Sequence, residues 1–305
     1  MKVLLLGSSG YLGKLLTNLL PSNIELLSPR KDELNLYNPN DLKKFLDSIS
    51  SLDCIINCAV HQKTGDHLVK NGLQIYRDNM LINSSIANAI FLSKYPFQFI
   101  TIGASCAYSH YAGKANYLTG DIHDSVRYFA YPKRNLAQTL SLYESKLKSW
   151  TVLVPGTLVG PGEQLNTSKK HFFNGTIYRA AKYSSKKLNT FGVFGDMDAV
   201  RDLSVADEVV KKIIELVNCP VDGIVNIDAD YRIKVGQLYE IINDSIVNID
   251  KFEYQKTKFK AQKEKSSPIK VLNDFSKESS INDKKFINLI ERTYQYYMDS
   301  INNAL

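Results

Sequence analysis

The chain has 305 residues, 44% of them hydrophobic and 23% charged, with a formal charge of +7. That length permits one large α/β domain or a domain with a smaller appendage, and the composition is ordinary for a soluble globular protein. No stretch approaches the roughly 20 apolar residues of a membrane span, so no membrane partner is expected.

The apolar start "MKVLLLG" is interrupted too soon by "GSSG" for a secretory signal; it reads as a buried first strand, and the protein is placed in the cytoplasm. "KVLLLGSSGYLGKLLTNLL" then gives a strand, a glycine turn and an amphipathic helix. Glycines at 7, 10 and 13 permit a tight turn, close approach of a pyrophosphate and close helix–strand packing, with the helix N-terminus facing the phosphates. Placed between a strand and a helix, this spacing is a much stronger signal than it would be alone. The predicted cofactor contacts are Gly7, Ser9, Gly10, Tyr11, Leu12 and Gly13, followed by Asn57 and Ala59 after a later strand. The second strand, in "NIELL", runs into "SPRK" with no acidic residue at its end. Arg30 and Lys31 are thus available to a 2′-phosphate, which tilts the cofactor toward NADP over NAD; otherwise they are two exposed basic loop residues.

"SLDCIINCAV" (51–60) and "FQFITIGAS" (97–105) are further buried strands, with "DNMLINSSIANAIFL" (78–92) as the crossover helix between them. "WTVLVPGTLVGPG" (150–162) is another strand, ending in a glycine–proline loop. Strands alternating with helices imply an α/β Rossmann fold with a doubly wound, mostly parallel sheet, whose ligands lie beyond the carboxyl ends of the strands. After residue 160 the pattern loosens. "KKHFFNGTIYRAAKY" (169–183) reads as a helix, 191–217 as a loop, a short strand and a helix, and "FINLIERTYQYYMDSI" (286–301) as a last helix. The predicted division is a dinucleotide-binding domain over 1–160, with segments near 190–220 returning to it, and a smaller substrate lobe over 161–305.

Cys54, Cys58, Cys106 and Cys219 have neither disulfide-framework nor zinc spacing. "HQKTGDH" puts His61 and His67 in a predicted loop without a third ligand, so no metal is expected. The Lys-rich run at 251–265 is not interleaved with any nucleic-acid-binding module. It reads as a solvated surface, and the positive bias would also draw in a phosphate-bearing substrate.

The markers "GSSGYLG", "GASCAYS", "LVPGTLVGPGE" and "VFGDMDAVRDLSVAD" resemble the extended short-chain dehydrogenase/reductase family, whose members mostly modify nucleotide sugars. Within it, "KDELNL", "SCAY", "KKHFFNGTIYRAAK" and "KSSPIKVLND" most resemble the GDP-fucose synthase branch, bifunctional epimerase/reductases of GDP-4-keto-6-deoxymannose. The resemblance implies bound NAD(P), an NDP-4-keto-6-deoxy sugar as substrate, a place in polysaccharide biosynthesis, and pairing through two long helices into a homodimer. It puts Lys133 on the lysine that holds the nicotinamide ribose, and Cys106 and His171 on the residues that move protons beside the 4-keto group. Asn79 falls on the family's helix asparagine and Arg201 on a residue near the nucleotide diphosphate, where a planar guanidinium binds phosphate oxygens at two points. The other reading of Arg201 is an ion pair with Asp196, Asp198 or Asp202.

Two departures bear on the reaction. The family's general-acid tyrosine, four residues before the lysine, is Phe129 here, and its strand-end Ser or Thr is Ala104. Tyr128 and Tyr131 project about 140° and 160° away from Lys133 on a helix, against about 40° for a residue four positions away. Ser105 is next to Ala104, but neighbours on a strand face opposite ways. A general acid is worth about 10²–10⁴ in rate and an oxyanion donor about 10²–10³. The candidate catalytic set is therefore Cys106, His171, Lys133, Ser105 and Tyr131. The alternative is a catalytically impaired relative that binds cofactor or nucleotide sugar, or scaffolds a partner.

Overall fold

The computed structural model describes residues 1–62, 66–109, 116–163, 171–250, 252–254 and 283–303. The chain opens with β1 (Lys2–Leu6), α1 (Tyr11–Leu19), β2 (Glu25–Leu27), α2 (Asp41–Asp47) and β3 (Cys54–Asn57). It continues through α3 (Asp66–Lys70), α4 (Gly72–Leu92), β4 (Gln98–Ile102), α5 (Arg127–Leu142) and β5 (Ser149–Val154). Next come β6 (Thr157–Val159), α6 (Phe172–Ser184), β7 (Phe191–Val193), β8 (Val200–Val205), α7 (Ala206–Asn218) and β9 (Gly223–Asn226). The last elements are β10 (Tyr231–Lys234), α8 (Val235–Ile241), β11 (Phe252–Tyr254) and α9 (Lys284–Asn302). Two compact units result, one of residues Met1–Pro155 with Ala206–Ile227, the other of Gly156–Val205 with Asp228–Leu305.

The first unit is built on a six-stranded sheet in the order β2-β1-β3-β4-β5-β9, parallel at every pairing. This is the doubly wound sheet expected from the sequence. Its central strands are continuous apolar runs, with Val3–Leu6, Cys54–Ile56 and Val152–Val154 all buried, as strands covered on both faces must be. Among the helices, α1 packs on α7 and α4 on α2 and α5. In α7 the buried Val209, Val210, Ile213, Leu216 and Val217 recur at helical spacing on one face. The chain order reverses direction between β1 and β3, so the crevice for a ligand lies beyond the carboxyl ends of those two strands.

The second unit has a three-stranded sheet, β10-β8-β6, and a parallel pair, β11-β7. In it β10 runs antiparallel to β8, and β6 parallel to it. Two strands thus occupy the stretch where the sequence suggested one. Helices α6 and α9 pack together around a core that includes Phe173, Ile177, Phe191, Leu203, Leu238 and Phe286. The Asp283 carboxylate starts α9 by accepting the amides of Lys285 and Phe286 at 2.9 and 3.3 Å, which satisfies two of the helix's orphan donors.

Three local expectations change. His67 lies in α3 rather than in a loop. Ser105 and Cys106 do not extend β4: the strand ends at Ile102, and residues Ser105–Ala107 form a turn of 3₁₀ helix closed by the amides of Ala107 and Tyr108 on the carbonyls of Ala104 and Ser105. His171 does not sit on a helix face. Its backbone is extended (ψ 152°) and it immediately precedes α6, whose first turn it closes by accepting the Gly175 amide at 2.8 Å. "KSSPIKVLND" and the Lys-rich run outside 252–254 lie outside the described residues.

Phe286 is fully buried, 4.6 Å from the ring of Tyr231 and 5.9 Å from that of Phe173. Phe286→Ala should lower the free energy of unfolding by about 3–5 kcal/mol, read by urea denaturation.

Candidate functional site

The turn after β1 is sterically closed to side chains. Gly7 has φ +82°, and a Cβ there would lie 2.6 Å from the Ala59 nitrogen. A Cβ on Gly13 would lie 2.2 Å from the Gly7 carbonyl oxygen. Both obstacles are backbone, so glycine is required at each position. Gly10 donates its amide to the Gly7 carbonyl at 3.0 Å and caps α1. No side chain caps that helix and no acid stands in its first turn. The amides that open it, at Tyr11, Leu12 and Gly13, therefore face outward with the positive end of the helix dipole. Ser9 and Gly10 are exposed beside them.

Across the crevice, the Asn57 carboxamide accepts the Ala59 amide at 3.1 Å and donates to Thr101 Oγ1 at 3.1 Å, which fixes the chain as it leaves β3. A close-approach turn, an uncapped helix and a pinned facing loop together fit the pyrophosphate of a dinucleotide. Arg30 is exposed after β2, and its guanidinium already sits 3.3 Å from Asp32 and 3.4 Å from Glu33. A 2′-phosphate would have to draw it from those acids.

Lys133 is brought to the end of β4 by α5, where its ammonium donates to the Ile102 carbonyl at 2.7 Å. Burial pulls this amine down to about 8, with the negative potential of Cys58 and Cys106 working the other way. The same burial pushes the Cys106 thiol up to about 11 and the Cys58 thiol up to about 12, against the lowering effect of Lys133. The three groups thus form one electrostatic cluster. Lys133 also lines a small cavity with Asn57, Ala59, Asn79 and Asn83. Here Asn79 uses its amide on the backbone, donating to His61 and Ile75 carbonyls at 2.8 Å each and accepting the His61 amide at 2.9 Å. It positions the loop after β3.

The other tyrosines of α5 are not brought to Lys133. The helix keeps one register from Arg127 to Leu142 despite Pro132. Tyr131 is exposed, and the ring of Tyr128 covers Gly72 of α4, where a Cβ would come within 2.3 Å of it. Where the family has its phenol, the Phe129 ring centre lies 5.8 Å from the Lys133 nitrogen. A hydroxyl beside Ala104 comes from a residue the sequence did not single out. The Ala104 amide donates to the buried Tyr117 oxygen at 3.1 Å, and burial keeps the proton on that phenol.

In the second unit, His171 Nδ1 lies 2.7 Å from Glu163 Oε1, and the Asn174 amide donates to Glu163 Oε2 at 2.8 Å. Glu163 and Asn174 are both buried. Arg201 donates to the Val200 carbonyl at 2.9 Å, and burial works against its charge while Asp196 favours it. The ion pair of this strand belongs instead to Asp202 and Arg232, at 3.5 Å. Arg179 is a second cation the sequence reading missed. It donates to Thr176 and Tyr239 hydroxyls at 2.9 and 3.1 Å, stacks 4.7 Å over Phe194, and has no carboxylate partner among the described residues. Glu163 and Arg179 both stood inside motifs already quoted and could have been found as an acid and a base flanking His171 by eight residues each; Tyr117 carried no such signal.

A sequence profile described as the NAD dependent epimerase/dehydratase family matches residues 3–228. The chain belongs to the NAD-dependent epimerase/dehydratase family. No curated protein matches it in sequence. Among solved structures it resembles a GDP-L-fucose synthetase from Naegleria fowleri, with TM-score 0.77 and 16% identity over 99% of this chain and 94% of that one. It also resembles RMD from Pseudomonas aeruginosa complexed with NADPH, at TM-score 0.74 and 16% identity over 98% and 99%. A third is a GDP-6-OMe-4-keto-L-xylo-heptose reductase from C. jejuni, at TM-score 0.73 and 14% identity over 99% and 97%. At such identities the likeness speaks to the fold of this epimerase/dehydratase family member.

The lowered Lys133 value has a thermodynamic consequence. Folding depresses it from near 10.5 to about 8, so between those values the unfolded chain holds a proton the folded chain has released. Stability from this group therefore rises with pH across that window and is flat below it. Urea denaturation at stepped pH should show wild type gaining on Lys133→Met between pH 8 and 10.5; a constant difference would mean the amine is not desolvated.

Proposed function

We propose that this protein is a nucleotide-sugar epimerase and/or reductase, with epimerisation the favoured reaction, acting on an NDP-4-keto-6-deoxy sugar and binding NADP or NAD on the Gly7–Gly13 turn. The observation that carries the reading is the Lys133–Cys106 cluster at the end of β4, which keeps an amine and a thiol together where Phe129 stands in the place of the family's phenol. With its thiol held up to about 11, Cys106 carries its proton at neutral pH and is suited to give one. The base in this reading is His171, the position on which the resemblance puts the family's proton-moving histidine. Its ring nitrogen takes the proton from the carbon beside the carbonyl, and the C–H electron pair moves to the carbonyl oxygen as an enolate. Lys133 spends one of its three N–H bonds on Ile102 and has others for that oxygen. In this reading the Cys106 thiol supplies the proton that returns to the carbon, and a return that inverts the centre completes the epimerisation. When bound, the nicotinamide would supply the hydride chemistry of reduction, with Lys133 holding its ribose.

Arg201 and Arg179 support a diphosphate-bearing substrate, since both are partly buried guanidiniums without a paired carboxylate among the described residues. Free thiols at all four cysteines fit the reducing cytoplasm. A homodimer is supported by apolar side chains left exposed on and beside α4 and α5, among them Leu73, Tyr76, Phe91, Tyr95 and Leu142. The second reading, binding without turnover, draws on the Phe129 ring, which presents an apolar face to Lys133 where the family has a donor.

Incubation of 4-keto-6-deoxy sugars linked to GDP, dTDP, UDP and CDP in D₂O, with and without NADPH, separates the readings by NMR. Deuterium beside the carbonyl without cofactor oxidation is the expected result, and Cys106→Ala should slow it by about 10²–10⁴. Loss of the carbonyl only with NADPH would assign a reductase instead. Silence across all four substrates would favour the binding protein.

A further inference from the structure

Among the described residues, the neighbours of His171 Nδ1 are arranged to favour a proton on that nitrogen. Its Nδ1 is 2.7 Å from Glu163 Oε1. The other carboxylate oxygen accepts from Asn174 at 2.8 Å. Asn174 in turn cannot rotate its amide without penalty, because both backbone groups of Gly160 read it. Its Nδ2 donates to the Gly160 carbonyl at 3.0 Å, and its Oδ1 accepts the Gly160 amide at 3.2 Å. Backbone donors and acceptors are not interchangeable, so the orientation of Asn174 is settled, and Glu163 Oε2 faces a donor. The Tyr297 hydroxyl bonds the Glu163 carbonyl at 3.2 Å and holds the same residue from the backbone side. Glu163 and Asn174 are buried, which makes each unmet bond costly.

We propose that Glu163 is a positioning residue for proton transfer by His171, fixing the neutral imidazole in the tautomer protonated at Nδ1 so that Nε2 accepts the proton. A carboxylate only accepts hydrogen bonds, so the nitrogen facing it must carry a hydrogen. The basic lone pair is thereby moved to Nε2. The geometry also fixes the ring plane, since Glu163 cannot turn without losing Asn174. The proposal rests on the reading of His171 as the base, but makes a claim about the histidine that is measurable without turnover.

The chain of bonds makes Glu163→Gln unusually informative. Because Asn174 presents a donor, the glutamine oxygen is held on that side and its NH₂ is turned toward His171 Nδ1. That nitrogen must then accept, and the proton moves to Nε2. The substitution keeps shape and volume but reverses the tautomer. Glu163→Asp retains an acceptor and should keep the original one.

The experiment is long-range ¹⁵N–¹H NMR of the full chain labelled with ¹⁵N-histidine, at a pH where His171 is neutral, with His171→Asn used to assign its signals. Expected are the Nδ1–H tautomer in wild type and Glu163→Asp, and the Nε2–H tautomer in Glu163→Gln. In parallel, deuterium incorporation into GDP-4-keto-6-deoxymannose should fall about 10²–10⁴-fold in Glu163→Gln, with KM little changed and most of the rate recovered in Glu163→Asp. An unchanged tautomer in Glu163→Gln, or the Nε2–H form in wild type, overturns the proposal whatever the activity. A reversed tautomer with undiminished exchange upholds the positioning by Glu163 and instead removes His171 from the role of base.

Discussion

The backbone contact between Gly13 and Gly7 is the constraint from which the first unit is organised. With the Gly7 oxygen 2.2 Å from where a Gly13 Cβ would stand, helix α1 is drawn against the turn that ends β1. A Cβ on Gly7 would in turn strike Ala59, so the end of β1 lies directly against the end of β3. These approaches place an uncapped helix end over the point where the sheet changes direction. Asn57 and Asn79 then secure the facing loop through their carboxamides, and the crevice opens where those elements converge. None of these bonds is individually large. Their effect is geometric, because each removes a way in which the loop could fill the crevice itself.

One strand further along, burial sets the chemistry. An ammonium and two thiols are partly withdrawn from water together, and desolvation moves the amine down and the thiols up. Each shift favours the uncharged form. In a family site with a phenol at the Phe129 position, a lysine would serve chiefly to stabilise phenolate. Without it, the same lysine retains N–H bonds and a charge that can answer negative oxygen. The replacement of Tyr by Phe therefore alters the division of labour as well as deleting a group.

Legibility in the sequence followed the scale of the interaction. Gly7 and Gly13 announce their turn because only glycine tolerates the approach, and the apolar runs of β1, β3, β4 and β5 announce a sheet covered on both faces. Lys133 and Phe129 were singled out by the resemblance to the family, and helical spacing added only that they share a face of α5. The stretch after Ile102 was not, because three residues of 3₁₀ turn have no period to display. Ser105 had been weighed as a strand neighbour, and that alternation does not apply in a turn. His171 was misplaced by one residue for a comparable reason: the apolar spacing of α6 starts at Phe172 and says nothing of what precedes it. Glu163, Asn174 and Tyr117 depend on tertiary contact, and spacing along the chain carries no mark of it.

The two halves of the proposed chemistry are held by opposite means, and this bears on why the phenol could be lost. The acid side is made by desolvation: Cys106 keeps its proton because burial penalises the thiolate, a bulk effect that needs no specific partner. The base side is made by hydrogen bonds, with Gly160 orienting Asn174, Asn174 orienting Glu163, and Glu163 facing the imidazole. Reduction of a ketone asks for a proton donor at the carbonyl oxygen at the moment the hydride arrives, which is what the phenol gives. Inversion beside that carbonyl asks for a donor and an acceptor at carbon, and only charge stabilisation at oxygen. A Phe at position 129 withdraws a requirement of the first reaction, and leaves untouched Cys106 and His171, the groups proposed for the second. An epimerase can survive that change more readily than a reductase, and this difference favours inversion as the chemistry retained.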